Sequence, residues 1–256
     1  MKKLTYLFLA LLIVACSSDD SSSNDNNDNN NTINTLLVVK RTRDTDTYQR
    51  EYNYTYAGTQ IISQIRETIR DNYTDIETTT FIYTNNVITM LNSTTERDGE
   101  FQNVNTFTFE YDEFDRKIKE NRIDEEGNIL FYITYSYLDN GSVQVIYDDR
   151  LQRIYNYDDL GRLYEIINYD EDGQPDGGQS WTFDDKNSPY KNVTTWHPRS
   201  FLTASNFINY IETNDFYGCL YEYNTTYNDD NYPISVEITN NCDGEIQSET
   251  FEYINL

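Results

Sequence analysis

Of the residue types able to do chemistry, histidine is the scarcest: His197 stands alone, in Trp196-His197-Pro198. Nucleophilic catalysis of the Ser/His/Asp or Cys/His kind needs an imidazole held between a nucleophile and an orienting group. One histidine between a tryptophan and a proline offers no such set, and a zinc site built on several histidines is excluded by the same count. Carboxylates are the opposite case, with 44 Asp and Glu. Two of them could cleave a glycosidic bond, but no spacing singles out an acid and a base, so no catalytic residue and no enzymatic activity is assigned. One acidic run has the pattern of a metal loop. Asn168, Asp170, Asp172 and Asp176 place oxygen atoms around Gly173 in the way a calcium ion requires. Its twelfth position is Gln179, where such a loop needs a bidentate Glu. The competing reading is an Asp-Gly hairpin turn lengthened by residues 174–178. No other cofactor is implied.

The N-terminus says where this chemistry would take place. Lys2 and Lys3 precede an apolar run from Leu7 to Ala15, the layout of a secretory signal peptide; as a helix the run is too short to span a bilayer. The segment Ile13-Val14-Ala15-Cys16 resembles the bacterial lipobox, which implies cleavage before Cys16 and acylation of that residue. Several acyl chains on one cysteine hold a protein firmly to a membrane. Ser17-Ser18-Asp19-Asp20 is similar to the export signal of Bacteroidota surface lipoproteins, which implies the outer face of the outer membrane. From Ser17 to Asn31 the chain is only Ser, Asp and Asn. Such a segment cannot bury a core and is expected to be a disordered tether, with a reach of ~20 Å. The expected organisation is a signal peptide at 1–15, a tether at 16–34 and one domain at 35–256.

Loss of residues 1–15 removes two lysines and no acid, which takes the net charge from −25 to −27. A surface of this sign repels nucleic acid. It suits solubility, and it admits basic partners and neutral sugars. In an exported chain Cys219 and Cys242 are expected to pair. Their midpoint falls between Asp230 and Asn231, inside the turn Tyr227-Asn228-Asp229-Asp230-Asn231-Tyr232-Pro233, so a symmetric hairpin sets one cysteine opposite the other.

The element type follows from composition. The chain has 24 Tyr and 12 Phe against 2 Met and 4 Pro. Tyr, Thr, Ile and Val favour strands, while the strong helix formers Ala and Leu are scarce. An aromatic-x-aromatic pair recurs at Tyr52/Tyr54, Phe81/Tyr83, Phe109/Tyr111, Tyr135/Tyr137, Tyr155/Tyr157, Trp181/Phe183, Tyr221/Tyr223 and Phe251/Tyr253, at intervals of 20 to 40 residues. A near-constant period of this size marks an internal repeat. Turn dipeptides such as Asn140-Gly141 and Asp243-Gly244 separate alternating segments, the chemistry of tight hairpins. The fold expected is all-β: an antiparallel up-and-down meander of about fifteen strands built from repeated hairpins. So many strands must curl or close into a barrel-like sheet. A membrane-spanning barrel is the competing form; the strands' alternate faces carry Glu, Arg, Asn and Gln rather than a lipid-facing apolar band.

Tyr157-Asp158-Asp159-Leu160-Gly161-Arg162-Leu163 resembles the Tyr-Asp (YD) repeat of RHS-type proteins. Tyr111-Asp112-Glu113-Phe114-Asp115-Arg116-Lys117-Ile118 resembles it loosely, with Asp115 in place of glycine. The chain is also similar to uncharacterised Bacteroidota lipoprotein domains with a porin-like fold, which bring no activity with them. The repeat is interrupted once, between Phe183 and Tyr223. There the segment Pro198 to Gly218, with Phe201, Leu202, Phe207, Ile208 and Ile211, fits a short helix better than a strand. This insertion, with Trp181, Trp196, Tyr210 and Phe216 in or beside it, would plug one end of the barrel or contact a ligand. The function expected is a lipid-anchored outer-membrane protein at the cell surface that binds a glycan or an envelope protein without catalysis. A structural or protective (immunity) envelope protein is the second possibility and a hydrolase the third.

Overall fold

The computed structural model describes residues 35–194 and 209–256; of residues 209–213 only the backbone is described. The strands are β1 (Leu36–Asp44), β2 (Gln49–Ala57), β3 (Gln60–Arg70), β4 (Tyr73–Thr84), β5 (Val87–Arg97) and β6 (Glu100–Tyr111). They continue with β7 (Lys117–Ile123), β8 (Ile129–Tyr137), β9 (Val143–Tyr147), β10 (Arg150–Tyr157), β11 (Leu163–Tyr169) and β12 (Pro175–Asn187). The last are β13 (Asn209–Phe216), β14 (Cys219–Tyr227), β15 (Pro233–Asn240) and β16 (Ile246–Asn255). Each strand pairs antiparallel with its chain neighbours, and β1 pairs with β16, so the sheet closes into a barrel. Closure removes every free edge, the exposed ladder that invites aggregation.

All eight aromatic pairs lie on even-numbered strands. The fifteen strands expected become sixteen because β1 has no such pair: its Leu36-Leu37-Val38-Val39 run carries no aromatic signal, yet it supplies the last ladder. A second difference concerns the expected helix over 198–218. Residues 209–216 form β13, bonded between β12 and β14. The closed sheet needs a strand there to satisfy the backbone groups of both neighbours, and this outweighs the helical spacing of the apolar residues. The rest of that segment, 198–208, lies outside the described residues, as do Cys16, Trp196 and His197.

Period-2 alternation sorts side chains between lumen and outer wall. On β16, Glu249, Phe251 and Tyr253 point inward, while Ser248, Thr250 and Glu252 point outward. Residues directly opposed across strands share a face, and the register carries this division round the barrel. Inside, Val38, Ile61, Ile88, Leu91, Phe107 and Ile238 are almost wholly buried. Removing each from water contributes roughly 1.5–3 kcal/mol. A second core forms around Val143, Val145, Tyr155, Leu163, Ile166 and Trp181. Outside, charges such as Lys40, Glu51, Glu67, Glu110, Lys119, Glu237 and Glu252 are interspersed with threonines and with isolated aliphatics such as Ile65, Ile69 and Ile82. Lys40 and Glu51 are ion-paired on this outer face at 2.8 Å.

The two ends differ. At the end where even strands finish, tyrosine hydroxyls donate to main-chain carbonyls of the neighbouring strand: Tyr83 to Ile61, Tyr111 to Ile88, and Tyr253 to Pro233, at 2.6–2.7 Å. Residues 188–194, which follow β12, cover this end. Tyr190 enters the lumen with its ring edge-on to Tyr54 and their hydroxyls 3.1 Å apart. Asn192 Nδ2 donates to the carbonyl of Leu36 and to the Tyr232 hydroxyl, and the Thr194 N–H donates to the Thr59 carbonyl. Plugging, one of the two roles expected for the insertion, is thus performed by its described first part. The opposite end, where odd strands finish, is the mouth.

The Tyr-Asp segments are loops with one shared bond set. Asp158 Oδ1 accepts from the Leu160 and Arg162 N–H groups, and Oδ2 accepts from Arg162 Nε at 2.7 Å. Asp112 does the same for Phe114 and Arg116. Gly161 sits at φ +74°, and Asp115, at φ +58°, holds the equivalent place; the left-handed region tolerates Asp nearly as it does Gly. Burial works against ionisation of Asp158, but the N–H and guanidinium of Arg162 outweigh it and hold the carboxyl below its ordinary range. Asp158→Ala removes three bonds and should lower stability by about 1–2 kcal/mol, read as a shift of a few degrees in thermal unfolding. Asp158→Asn, which keeps an acceptor, should recover most of that loss.

Candidate functional site

The mouth bears an open cleft of about 430 Å³ between the β11–β12 and β13–β14 hairpins. Its floor is glycine. Pairing of β11 with β12 is irregular between Ile167 and Tyr169, where Gly177 and Gly178 pass. A Cβ on Gly178 would lie 2.3 Å from the carbonyl oxygen of Ile166, and one on Gly177 would lie 2.2 Å from the Tyr217 ring. Glycine is therefore required twice, once for strand approach and once to seat an aromatic ring.

Tyr217 occupies the two-residue turn Tyr217-Gly218 with φ +52°, a left-handed conformation that costs a bulky residue about 1 kcal/mol or more. Three bonds hold it there. Its N–H donates to the Gly178 carbonyl at 3.2 Å, its hydroxyl accepts from Asn168 Nδ2 at 2.8 Å, and Gly218 N–H donates to Asp215 Oδ1 at 2.8 Å. The ring meets Phe216 edge to face at 4.7 Å. Phe216 is 44% exposed and Tyr217 56%. Glu165, Gln179, Ser180 and Asp215 complete the lining. An exposed tyrosine ring beside carboxylates, an amide and a hydroxyl can stack on a sugar ring and bond its hydroxyls, with Phe216 bracing it edge-on. Gly178→Ala strikes backbone and should destabilise the barrel. Gly177→Ala should displace Tyr217, read as a change in aromatic circular dichroism, and should also lower the melting temperature, because φ +74° there costs an L residue about 1 kcal/mol.

The disulfide follows directly on Gly218, the last lining residue of the cleft in sequence. Cys219 and Cys242 are bonded with Cα atoms 5.4 Å apart, in line with the β14–β15 register that opposes Tyr221 to Asn240. Asn241 bonds Leu220 through both its N–H and its Oδ1.

Of the residues singled out from sequence, Phe216 and Asn168 reach this cleft only through Tyr217, the first by its ring contact and the second by its bond to the hydroxyl; neither lines it. Trp181 is only 9% exposed and packs into the second core. Tyr210 lies on β13, and its side chain is outside the described residues. Asp170 Oδ1 accepts from the Asp172 and Gln174 N–H groups, the geometry of a turn. Among the described residues, no three Asp, Glu, His or Cys side chains are grouped to hold a metal. Tyr217, the central side chain, was not singled out, although its place between Phe216 and a turn glycine was visible.

A second polar region lines the inner wall of the mouth on β1–β5. Arg41 and Arg43 both bond Glu249, which is 2% exposed; Arg41 Nη2 lies 2.6 Å from Oε1. Arg66 pairs with Glu77 at 2.6 Å, and Arg70 and Arg97 share Asp75 at 3.1 and 2.8 Å. Arg50 bonds Thr68 Oγ1 and lies over the Tyr48 ring at 4.5 Å. Burial opposes ionisation of Glu249, but the two guanidiniums outweigh it and hold the carboxyl below its ordinary range.

No family model matches the chain, and no curated protein matches it. Solved structures do match. A porin-like protein from Bacteroides uniformis ATCC 8492 shares 11% identity at a TM-score of 0.43, over 87% of this chain and 98% of that one. A porin-like protein from Bacteroides vulgatus ATCC 8482 shares 12% identity at a TM-score of 0.45, over 86% of this chain and all of that one.

Proposed function

We propose that this chain is a lipid-anchored protein of the bacterial outer membrane, displayed at the cell surface, and that its barrel is a non-enzymatic module that binds a glycan at the mouth. The observation that carries the binding reading is the exposed Tyr217 ring, held in a strained turn over a glycine floor among polar side chains and met edge-on by the exposed Phe216. A strained residue that persists is held by its surroundings, and such residues concentrate at binding sites. The anchor reading is supported by the lipobox-like segment ending at Cys16. The outer wall supports attachment by lipid rather than by the barrel itself: charged residues such as Glu51, Lys40 and Glu252 recur at outward positions where a lipid-facing band would be apolar. A glycan array probed with the wild-type chain and with a Phe216→Ala/Tyr217→Ala variant tests the reading. Binding to at least one glycan, weakened about tenfold or more in the variant, is expected, since aromatic stacking contributes on the order of 1 kcal/mol per ring beyond area burial. Equal signals from the two proteins, or none from either, would refute it.

A further inference from the structure

The whole chain has 19 basic and 44 acidic side chains, but the inner wall of the mouth reverses that balance. Half of the chain's twelve arginines, Arg41, Arg43, Arg50, Arg66, Arg70 and Arg97, stand on inward strand positions of β1–β5. Only three carboxylates on these strands and β16 face them: Glu249, Glu77 and Asp75. Glu249 and Asp75 are each shared between two guanidiniums, and Arg50 bonds a hydroxyl and an aromatic face instead of an acid. On the next strand, β6, Glu100 is opposed to Arg97, so six guanidiniums meet four carboxylates and the wall carries an excess of two positive charges.

Folding alone gives no reason for this arrangement. Arg43 and Arg50 are directly opposed across β1 and β2, a placement of like charges that destabilises a sheet. The guanidiniums nearest the rim are also reachable, while Arg41 and Arg43 lie deeper on Glu249. Arg97 is 49% exposed along its side chain although it faces inward, so the lumen is open to water there. They form an array, since neighbouring strands lie ~4.8 Å apart and arginines stand on β1, β2, β3 and β5. An array suits a ligand whose charges repeat along its length better than a single small anion. Tyr48 and Tyr73 lie among the guanidiniums, with Arg97 4.2 Å from the Tyr73 ring.

We propose that the inner face of β1–β5 at the mouth binds an acidic glycan, an extended sugar chain that carries carboxylate or sulfate groups. The choice of a glycan among polyanions rests on the envelope-binding reading above. Guanidiniums pair bidentately with carboxylate and sulfate oxygens, and the flanking tyrosine rings give sugar faces a surface. The negative remainder of the protein confines such a ligand to this one wall.

Isothermal titration of the full chain tests this with short oligogalacturonate, a dextran sulfate fragment, unmodified dextran, poly-aspartate and inorganic sulfate as probes. At least one charged oligosaccharide should bind, more weakly as salt rises, and more tightly than dextran, poly-aspartate or sulfate. Arg50→Gln/Arg97→Gln should weaken that binding about tenfold or more. Lys40→Gln, which removes one positive charge from the outer wall, should leave it unchanged. Circular dichroism shows whether each variant is folded, and should the double variant fail to fold, Arg50→Gln alone carries the test. Three results would overturn the proposal: no preference for charged over neutral oligosaccharide, equal binding of poly-aspartate or free sulfate, or binding indifferent to the arginine changes. Loss of this site alone leaves the Phe216–Tyr217 cleft standing, because neutral glycans on the array report on that separately.

Discussion

Replacing Glu249 with Gln should cost the barrel about 3–5 kcal/mol, the loss expected when one partner of a buried ionic group is neutralised and the others stay in place. Glu249 lies on β16 with both its guanidinium partners on β1, so the change strikes the ladder that closes the sheet. Chemical denaturation should show a lower midpoint, with amide exchange in β1 and β16 rising before that in β4 and β5. The same carboxyl gives the fold a pH dependence of definite sign. Its folded-state pKa lies below the ordinary glutamate value near 4.5. Its contribution is therefore fully present above that value and is lost as pH falls through the folded pKa. Wild-type stability should decline below about pH 4.5, and the Gln variant should decline less steeply over that window. Parallel declines in the two proteins would remove Glu249 from the explanation.

Breaking the disulfide should have the next largest effect. The bond joins residues 23 apart in sequence, and release of a loop of this size costs ~3 kcal/mol. For a chain this long, that corresponds to a drop of roughly 6–12 °C in melting temperature. Cys219 begins β14 directly after Tyr217-Gly218, opposed to Phe216, so the bond also braces the cleft. Cys219→Ser/Cys242→Ser should therefore weaken glycan binding as well as stability, while Asp158→Ala, in the distant β10–β11 loop, should affect stability only. A serine pair that melts lower but binds as tightly as the wild type would mean that the cleft does not need the brace.

What could be read from the sequence was whatever a local pattern records. Aromatic pairs one residue apart mark inward positions because alternation is a property of one strand, and the centre of a hairpin fixes which cysteines meet because antiparallel register is symmetric about its turn. β1 escaped because its apolar run has no aromatic partner and its pairing with β16 spans the whole chain. β13 escaped because its spacing is also helical, and only its two neighbours in the closed sheet decide the matter. The arginine wall escaped for a different reason. Arg41, Arg66 and Arg97 are far apart in sequence, and bulges such as those at Val38/Lys40 on β1 and Thr55/Tyr56 on β2 shift which face a residue takes. Facing can be assigned only after every such slip is known. Tyr217 escaped because a tyrosine in the left-handed region is an exception to the turn preferences that sequence reading uses.

The most direct test of a water-facing barrel attached only by lipid is to express the chain with Cys16→Ala and purify it without detergent. A folded β-rich monomer that binds no detergent belt in sedimentation velocity is the expected result. A protein that aggregates in buffer, and becomes a folded monomer only inside a detergent micelle, would contradict it and would place the outer wall in the membrane.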